Sequence, residues 1–419
     1  MKVCVVGLGY IGLPTALLLS SYNEVLGVDI NSDIISKIKN KTVPFQEPGL
    51  EHLLSASDIS VSETPQPADA FVICVPTPFD KETKIADLTF VKQALTSVVP
   101  YVKKGNIIII ESTIAPGTCE KAVVPLLEKS GFKVGEDIRL AHCPERAMPG
   151  RTLQEMVHND RIVGAIDKES ASLVRLLYSS FVKGNLIVTD LATAEFVKLM
   201  ENTYRDVTIA LANELATIAE DAGINVWEAI ALANHHPRVN IPNPGPGVGG
   251  HCIAVDPYFL TESATHCALI NAARQVNDYM PLYVLRKVMK VTSGIKSPKI
   301  TVFGVAYKGN VDDTRESPAT RFIKLAEKEG FNISIYDPLV TSFEYELSSL
   351  DEAITNTDCI VIIADHDEFR ALDYAALLQK ARHKNVLDTR NIVSKRGNYH
   401  LVTLGRGGSS EVAHHPASH

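Results

Sequence analysis

The stretch Gly249-Gly250-His251-Cys252-Ile253-Ala254-Val255-Asp256-Pro257 sets one thiol in a glycine-framed turn, with an acid four residues later. A thiolate presented in this way can add to a carbonyl carbon. Upstream, Glu195, Lys198, Asn202 and Arg205 fall at helical spacing, with Lys198 and Asn202 on one face at i and i+4. Pattern alone favours a solvated polar stripe. The apolar Phe196, Val197, Leu199 and Met200 beside it also suit partial burial, where a lysine's pKa falls and it can trade protons.

The chain opens on a second constellation, Gly7-Leu8-Gly9-Tyr10-Ile11-Gly12, between a strand-like run and the helix-like Leu13–Ser20. The first glycine permits a tight turn, the second lets the backbone approach a pyrophosphate, and the third lets helix and strand pack closely. The helix N-terminus offers free N–H groups and the positive end of its dipole to the phosphates. Asp29, about 20 residues on, is placed to accept from the ribose hydroxyls. Ile30 and Asn31 follow it, with no arginine for a 2′-phosphate, which favours NAD over NADP. A thiol paired with a nicotinamide can hold a half-oxidised aldehyde covalently while a second hydride departs. The two constellations together predict a dehydrogenase that carries an alcohol to an acid.

Residues 2–7, 24–29, 69–75 and 106–111 are β-rich apolar runs separated by segments of helical period, the pattern of a parallel sheet wound with helices. It returns near the other end: 299–304 echoes 2–7, 333–337 echoes 25–29, and 358–363 echoes 69–74, in the same order. Between them 190–233 reads as long helices, 234–257 as an irregular Pro/Gly loop, and 262–292 as helix again. The expected architecture is α/β, with two Rossmann-like doubly wound units joined by a mainly helical central domain. Its divisions are 1–189 (cofactor), 190–297 (central, with the cysteine loop and a dimer interface), 298–405 (second unit) and a disordered tail, 406–419. The echo at Gly304-Val305-Ala306-Tyr307-Lys308-Gly309 lacks the middle glycine, so the second unit is not expected to bind NAD as the first does.

The 419 residues are 45% hydrophobic and 21% charged, ordinary for a soluble globular protein of more than one domain. A formal net charge of −8 leaves no basic excess for nucleic acid or an anionic membrane. No apolar run approaches the roughly 18 residues of a membrane span. An export signal at Met1–Val6 would discard the glycine fingerprint, so a cytoplasmic protein is expected. The seven cysteines include no CxxC pair, so neither zinc nor a disulfide framework is expected, and Cys4, Cys74 and Cys359 lie in strand-like runs as core residues. No metal site is expected, the tail histidines included.

GLGYIGLP at 7–14, VPTP at 75–78, ESTIAPGT at 111–118, CPER at 143–146, EFVKLMENTYRDV at 195–207, HPRVN at 236–240, PGPGVGGHCIAVDP at 244–257 and GVAYKGNVDDTRESPA at 304–319 together resemble the UDP-glucose/GDP-mannose dehydrogenase family, in family order as far as Arg390. The cysteine and CPER segments are most similar to members acting on UDP-N-acetyl-D-mannosamine. Members acting on UDP-glucose differ at His251 and Pro149. The resemblance implies four-electron oxidation of the C6 hydroxymethyl of that UDP-sugar by NAD, with UDP-N-acetylglucosamine or UDP-glucose as alternative substrates. It implies Cys252 as the nucleophile that carries a thiohemiacetal and then a thioester, with Lys198 and Asn202 at the developing alkoxide. Asp256 and Thr113 would hold water, and Glu145 would assist hydrolysis. Gly7, Gly9, Tyr10, Ile11, Gly12, Asp29, Thr77, Thr113 and Arg315 match cofactor positions. Arg146, Ala147, Lys198, Asn202, Arg205, His236, Arg238, Gly247, Tyr307, Lys308 and Arg390 match positions that hold the nucleotide sugar. A homodimer or higher homo-oligomer is expected. Two other readings stay open on the residues: a two-electron β-hydroxyacid dehydrogenase, which needs no thiol, and a cofactor-binding regulator without turnover.

Overall fold

The computed structural model describes residues 1–80, 82–394 and 396–407. They form two compact units, Met1–Asn202 with Val255–Thr265, and Thr203–Ala254 with the described residues from His266 onward.

The first unit is built on an eight-stranded sheet in the order β3-β2-β1-β4-β5-β6-β7-β8. Its strands are β1 Lys2–Val6, β2 Glu24–Val28, β3 Ser60–Ser62, β4 Ala70–Ile73, β5 Ile107–Ile110, β6 Arg139–His142, β7 Arg161–Ala165 and β8 Leu186–Thr189. Every pairing is parallel except β6 with β7. The continuous apolar runs of β4 and β5 are buried at every residue, as strands covered on both faces must be. Along β1, Val3 and Val5 enter one core with Leu13 and Leu17, while Cys4 and Val6 enter the other with Phe71 and Ile108. The order reverses between β1 and β4, and the glycine turn 7–12 lies where β1 ends at that switch point, the place at which open α/β sheets bind ligands.

The second unit holds a parallel five-stranded sheet, β10-β9-β11-β12-β13, of β9 Lys299–Phe303, β10 Asn332–Tyr336, β11 Cys359–Ile362, β12 Asn385–Asp388 and β13 His400–Thr403. The sequence echo is matched bond for bond. Gly7 N donates to Val28 O at 2.8 Å and Gly304 N to Tyr336 O at 2.9 Å. Asp69 accepts from Lys2 N at 2.8 Å, as Asp358 does from Lys299 N at 2.8 Å. One face of this sheet packs on helices Ala268–Val291 and Pro318–Lys328 through Val284, Leu285, Phe322 and Ile323.

The helix Leu191–Asp221 is continuous, and the boundary between the units falls within it, after Asn202. The chain differs from the sequence reading in three places. The irregular segment after 234 ends at Val255, because Asp256-Pro257 opens a helix, Asp256–Thr261, whose first turn needs no N–H from proline. The next helix starts at Ala268 rather than 262, since the chain passes from one unit to the other after Thr265. Arg406 and Gly407, assigned to the tail, pair with residues 224–225: Arg406 bridges Asn225, and Gly407 N donates to Ile224 O at 2.9 Å. The rest of that tail, 408–419, lies outside the described residues. Among the described residues no helix is long and apolar enough to cross a membrane.

Candidate active site

The glycine turn fits a dinucleotide by the space it leaves. Gly7 has φ +93°, and a β-carbon there would lie 2.6 Å from Cys74 O. At Gly12 it would lie 1.8 Å from Gly7 O, so helix and strand pack too closely for any side chain. At Gly9 it would meet nothing within 4 Å: this glycine faces open space, as backbone that must admit a pyrophosphate should. Helix Gly12–Ser20 starts with no side-chain cap and no acid in its first turn, so the positive end of its dipole is uncompensated, although Leu13 N and Thr15 N already donate to Gly9 O at 3.1 Å and Ile11 O at 3.0 Å. Asp29 at the end of β2 braces the turn, accepting from Leu8 N and Asn31 N, both at 2.8 Å. Thr77 and Thr113 lie just beyond the ends of the adjacent strands β4 and β5, whose loops are tied where Ser112 Oγ donates to Val75 O at 2.8 Å. The Thr77 hydroxyl oxygen is buried with no hydrogen-bond partner among the described residues, a place for a ligand acceptor or donor.

Behind this turn lies a buried ionic network. The Glu111 carboxylate accepts from Thr15 Oγ1 at 3.1 Å, Cys74 Sγ at 3.2 Å, Arg161 Nη2 at 2.5 Å, and the Tyr178 hydroxyl. Burial, reinforced by Glu111, pushes the Cys74 thiol and the Tyr178 phenol up, so both remain donors. Arg161 continues to Glu145 at 2.8 Å; burial pulls its pKa down, but Glu111 and Glu145 outweigh that and hold it above its usual value. The other Glu145 oxygen accepts from Arg146 N at 2.6 Å and Ala147 N at 2.8 Å. Glu145 is therefore engaged on both oxygens and fixes the backbone of the CPER turn. The Arg146 guanidinium donates to Glu201 at 2.5 Å.

On helix Leu191–Asp221 the polar stripe is buried rather than solvated over its first turns. Lys198 Nζ and Asn202 Nδ2 each donate to the same Asp256 oxygen at 2.5 Å. The Asp256 side chain is 2% exposed and that of Lys198 6%. Burial pushes the Asp256 carboxyl up, opposed by Lys198 and Asn202. An ion pair this dry depends on both partners; removing one leaves a buried charge, at a cost of about 3–5 kcal/mol. Glu195, one turn earlier, plays a different part. Its carboxylate accepts from Gly117 N and from Cys119 N at 2.7 Å, anchoring the loop that carries Thr113.

Cys252 belongs to the second unit, half-buried in the predicted turn. The two glycines before it are required by contact. A β-carbon on Gly249 would meet Glu316 O at 2.7 Å, and Gly250, at φ +84°, lies against the Tyr307 ring, which a β-carbon would meet at 3.0 Å. Gly250 N donates to Arg315 O at 3.0 Å, and Tyr307 N to Asp313 O at 2.9 Å. Asp313 takes the Arg315 guanidinium on both oxygens, at 2.9 and 2.6 Å, and its carboxylate lies 3.8 Å from His251 Nδ1. Burial raises Asp313, yet the Arg315 bonds bring it below the usual carboxylate range. Tyr307 is pushed up to about 12 by burial, with Asp313 and Cys252 contributing.

The same unit holds Gly247 (φ +126°) and Arg390, whose Nε donates to Ile363 O at 2.8 Å. Arg390 lines a cavity of about 310 Å³ with Trp227, Asn243, Asp365 and Arg370. Lys308 is half-buried, and Arg205, His236 and Arg238 are exposed. The expected residues thus fall into two sets. The first unit gathers Lys198, Asn202 and Asp256, and separately Glu145, Arg146 and Ala147 near the cofactor turn. The second gathers Cys252, Tyr307 and Arg315. Sequence reasoning missed Glu111, Arg161 and Asp313. Glu111 and Asp313 carried a signal, as parts of the ESTIAPGT and DDTRE runs; Arg161 is a lone cation at the start of a strand.

Three family models match the chain, all of the UDP-glucose/GDP-mannose dehydrogenase family: the NAD binding domain over residues 1–182, the central domain over 192–279 and the UDP binding domain over 301–395. The chain is 47% identical over 423 residues to a UDP-N-acetyl-D-mannosamine dehydrogenase of Methanococcus maripaludis, covering 97% of each. It is 43% identical to an NDP-N-acetyl-D-galactosaminuronic acid dehydrogenase of Ralstonia solanacearum, over 94% of this chain and 96% of that one. The solved structure of the UDP-N-acetylmannosamine dehydrogenase from Pyrococcus horikoshii superposes with a TM-score of 0.92 at 42% identity, covering 97% of this chain and all of the other. With an open glycine turn for the dinucleotide and all three family domains in order, the chain belongs to the UDP-glucose/GDP-mannose dehydrogenase family and is an NAD-dependent nucleotide-sugar dehydrogenase.

Proposed function

We propose that the chain oxidises the C6 hydroxymethyl of UDP-N-acetyl-D-mannosamine to the carboxylate, giving UDP-N-acetyl-D-mannosaminuronate. NAD, when bound at the first unit's glycine turn, supplies the hydride acceptor for each of the two oxidations. Lys198, once its own proton has passed to Asp256, whose carboxyl burial pushes up, takes the hydroxyl proton and, with Asn202, steadies the oxygen as its charge develops. The Cys252 thiolate adds to the aldehyde carbon, forming a C–S bond and a thiohemiacetal alkoxide; loss of the second hydride leaves a thioester. Water cleaves that C–S bond, releasing the acid and the thiol, with Asp256 and Thr113 holding the water and Glu145 assisting. Arg146, Ala147, Arg205, His236, Arg238, Gly247, Tyr307, Lys308 and Arg390 hold the nucleotide sugar, arginine forks suiting its diphosphate. Tyr10, Ile11, Asp29, Thr77, Thr113 and Arg315 hold the cofactor.

The observation that supports this most strongly is the buried Lys198–Asp256–Asn202 cluster, which places an amine and an amide on one oxygen atom in a dry setting. The Methanococcus and Pyrococcus relatives support the mannosamine substrate. The Ralstonia relative favours a second reading, in which the sugar has another configuration. Side-by-side turnover of UDP-N-acetylmannosamine, UDP-N-acetylgalactosamine, UDP-N-acetylglucosamine and UDP-glucose separates them. The preferred sugar is expected to yield two NADH per molecule, and a ratio of one would refute the covalent route. Cys252→Ala is expected to abolish acid formation; acid still formed by that variant would overturn the thiol route. Assembly with a second copy of the chain is supported by Tyr204, Leu211 and Ile218, exposed at seven-residue spacing on one helix face; light scattering at a single chain's mass would exclude it. The setting proposed is cytoplasmic.

A further inference from the structure

The segment 307–316 is joined to the thiol turn more closely than a passing loop would be. Asp313 is 9% exposed and is used four ways. Its main-chain oxygen takes Tyr307 N–H, and its carboxylate takes both the Arg315 main-chain N–H and the Arg315 guanidinium. The same carboxylate lies 3.8 Å from His251 Nδ1. Arg315 in turn offers its own carbonyl to Gly250 N–H, two residues before the sulfur. Next to it Glu316 holds φ +49°, a conformation that side-chain-bearing residues avoid and that persists only where the surroundings impose it. Nothing in the nucleotide-sugar chemistry assigned above uses Asp313.

We propose that Asp313 is a positioning residue for Cys252: it anchors the thiol turn through Arg315 and holds the adjacent His251 in its cationic form, so that the sulfur ionises readily. This rests on the reading of Cys252 as the nucleophile. A carboxylate within 4 Å favours the charged imidazole, and a cationic histidine beside a cysteine favours the thiolate. The charged and titratable groups at the turn include Asp313, Arg315, Tyr307 and Arg205, with Glu316 and Lys308 on the same segment. Tyr307 is neutral at pH 7 and the two arginines stay charged, so a charge change between pH 5 and 8 is expected of the His251 imidazole, the side-chain type that titrates in that range.

The test is alkylation of the resting, full-length enzyme by iodoacetamide, without substrate, followed by peptide mass at Cys252 and at Cys267. Cys267 lies in the same unit and is half-buried, so it is an internal reference. Asp313→Asn is expected to slow Cys252 about tenfold at pH 7, one pK unit's worth, with Cys267 unchanged. The wild-type Cys252 rate is expected to show an inflection near neutral pH that His251→Gln removes. The double variant is expected to be no slower than His251→Gln alone. An unchanged or faster Cys252 in Asp313→Asn would overturn the proposal, since a carboxylate acting only as a nearby negative charge would suppress the thiolate. Parallel changes at both cysteines would overturn it too, as general loosening. Should Asp313→Asn fail to fold, the wild-type and His251→Gln pH profiles decide alone, and an inflection common to both, or absent from both, counts against it. No turnover is involved, so the nucleophile reading stands or falls separately on Cys252→Ala.

Discussion

In the first unit β1 runs through Gly7 straight into helix Gly12–Ser20; in the second, β9 runs through Gly304 into a long loop, and the helix starts only at Pro318. Both turns are braced alike. Asp29 accepts from Leu8 N at 2.8 Å, and Asp337 from Val305 N at 2.7 Å. Beyond that brace they diverge. Gly9 faces open space next to an uncapped helix end, whereas its counterpart Ala306 is 1% exposed. Asp337 also pairs with the buried His366 at 3.2 Å. The first turn is left open to an anion; the second is closed over, and its lengthened loop instead grips the turn that carries Cys252. A repeated scaffold has thus kept its structural brace in both copies and its ligand geometry in one.

If the first unit supplies the proton chemistry and the second the thiol, Lys198→Met should divide the two most sharply. It is expected to lower kcat by about 10²–10⁴-fold while NAD affinity and Cys252 alkylation stay near wild type. Unchanged turnover would remove the proton-transfer role. The cofactor side of the comparison is sharpened by Gly9→Val. The new methyls enter open space, so the melting temperature should hold, while NAD affinity falls by about 1–3 kcal/mol, the range of an overpacked site. The reciprocal Ala306→Gly should leave calorimetric NAD stoichiometry at one per chain; a second site would break the distinction drawn here.

The smallest effect concerns the acids that open β4 and β11. Asp358 accepts from Lys299 N, Arg382 and His383, and against the upward pull of burial these hold its carboxyl down at about 2. A carboxyl lowered on folding stabilises at pH values above its unfolded pKa and loses that contribution as pH falls through the folded value. Asp358→Asn should therefore cost about 1.5–3 kcal/mol at pH 7, with the gap to wild type closing between about pH 4 and 2. The exposed Asp69 makes the equivalent bond to Lys2, and Asp69→Asn should cost about 1 kcal/mol or less. Equal losses from the two in thermal melts would contradict the difference in their surroundings.

Much of this was legible along the chain. The runs at 2–7, 69–75 and 106–111 became β1, β4 and β5 because short, continuously apolar segments between turn residues have no stable place except a covered sheet. Gly7, Gly9 and Gly12 could be given separate roles from spacing, and the clearances at each agree. Arg161 could not be found in this way. Its worth comes from Glu111 and Glu145, 50 and 16 residues away, and no periodicity marks a residue whose partners are brought by strand order. Glu195 was noticed as part of a polar stripe, but its role in holding Gly117 and Cys119 required the loop to be seen folded against the helix.

Local physics fixed the elements and their repetition: backbone sterics choose where glycine must stand, and apolar period chooses which segments are strands. Strand order and side-chain pairing were decided only by the folded chain. Whether a carboxylate braces a turn, as Asp29 does, or holds a lysine in a dry cluster, as Asp256 does, depends on which groups long-range packing brings within 3 Å and how much water it removes. Neither quantity is written in the spacing of residues along the sequence.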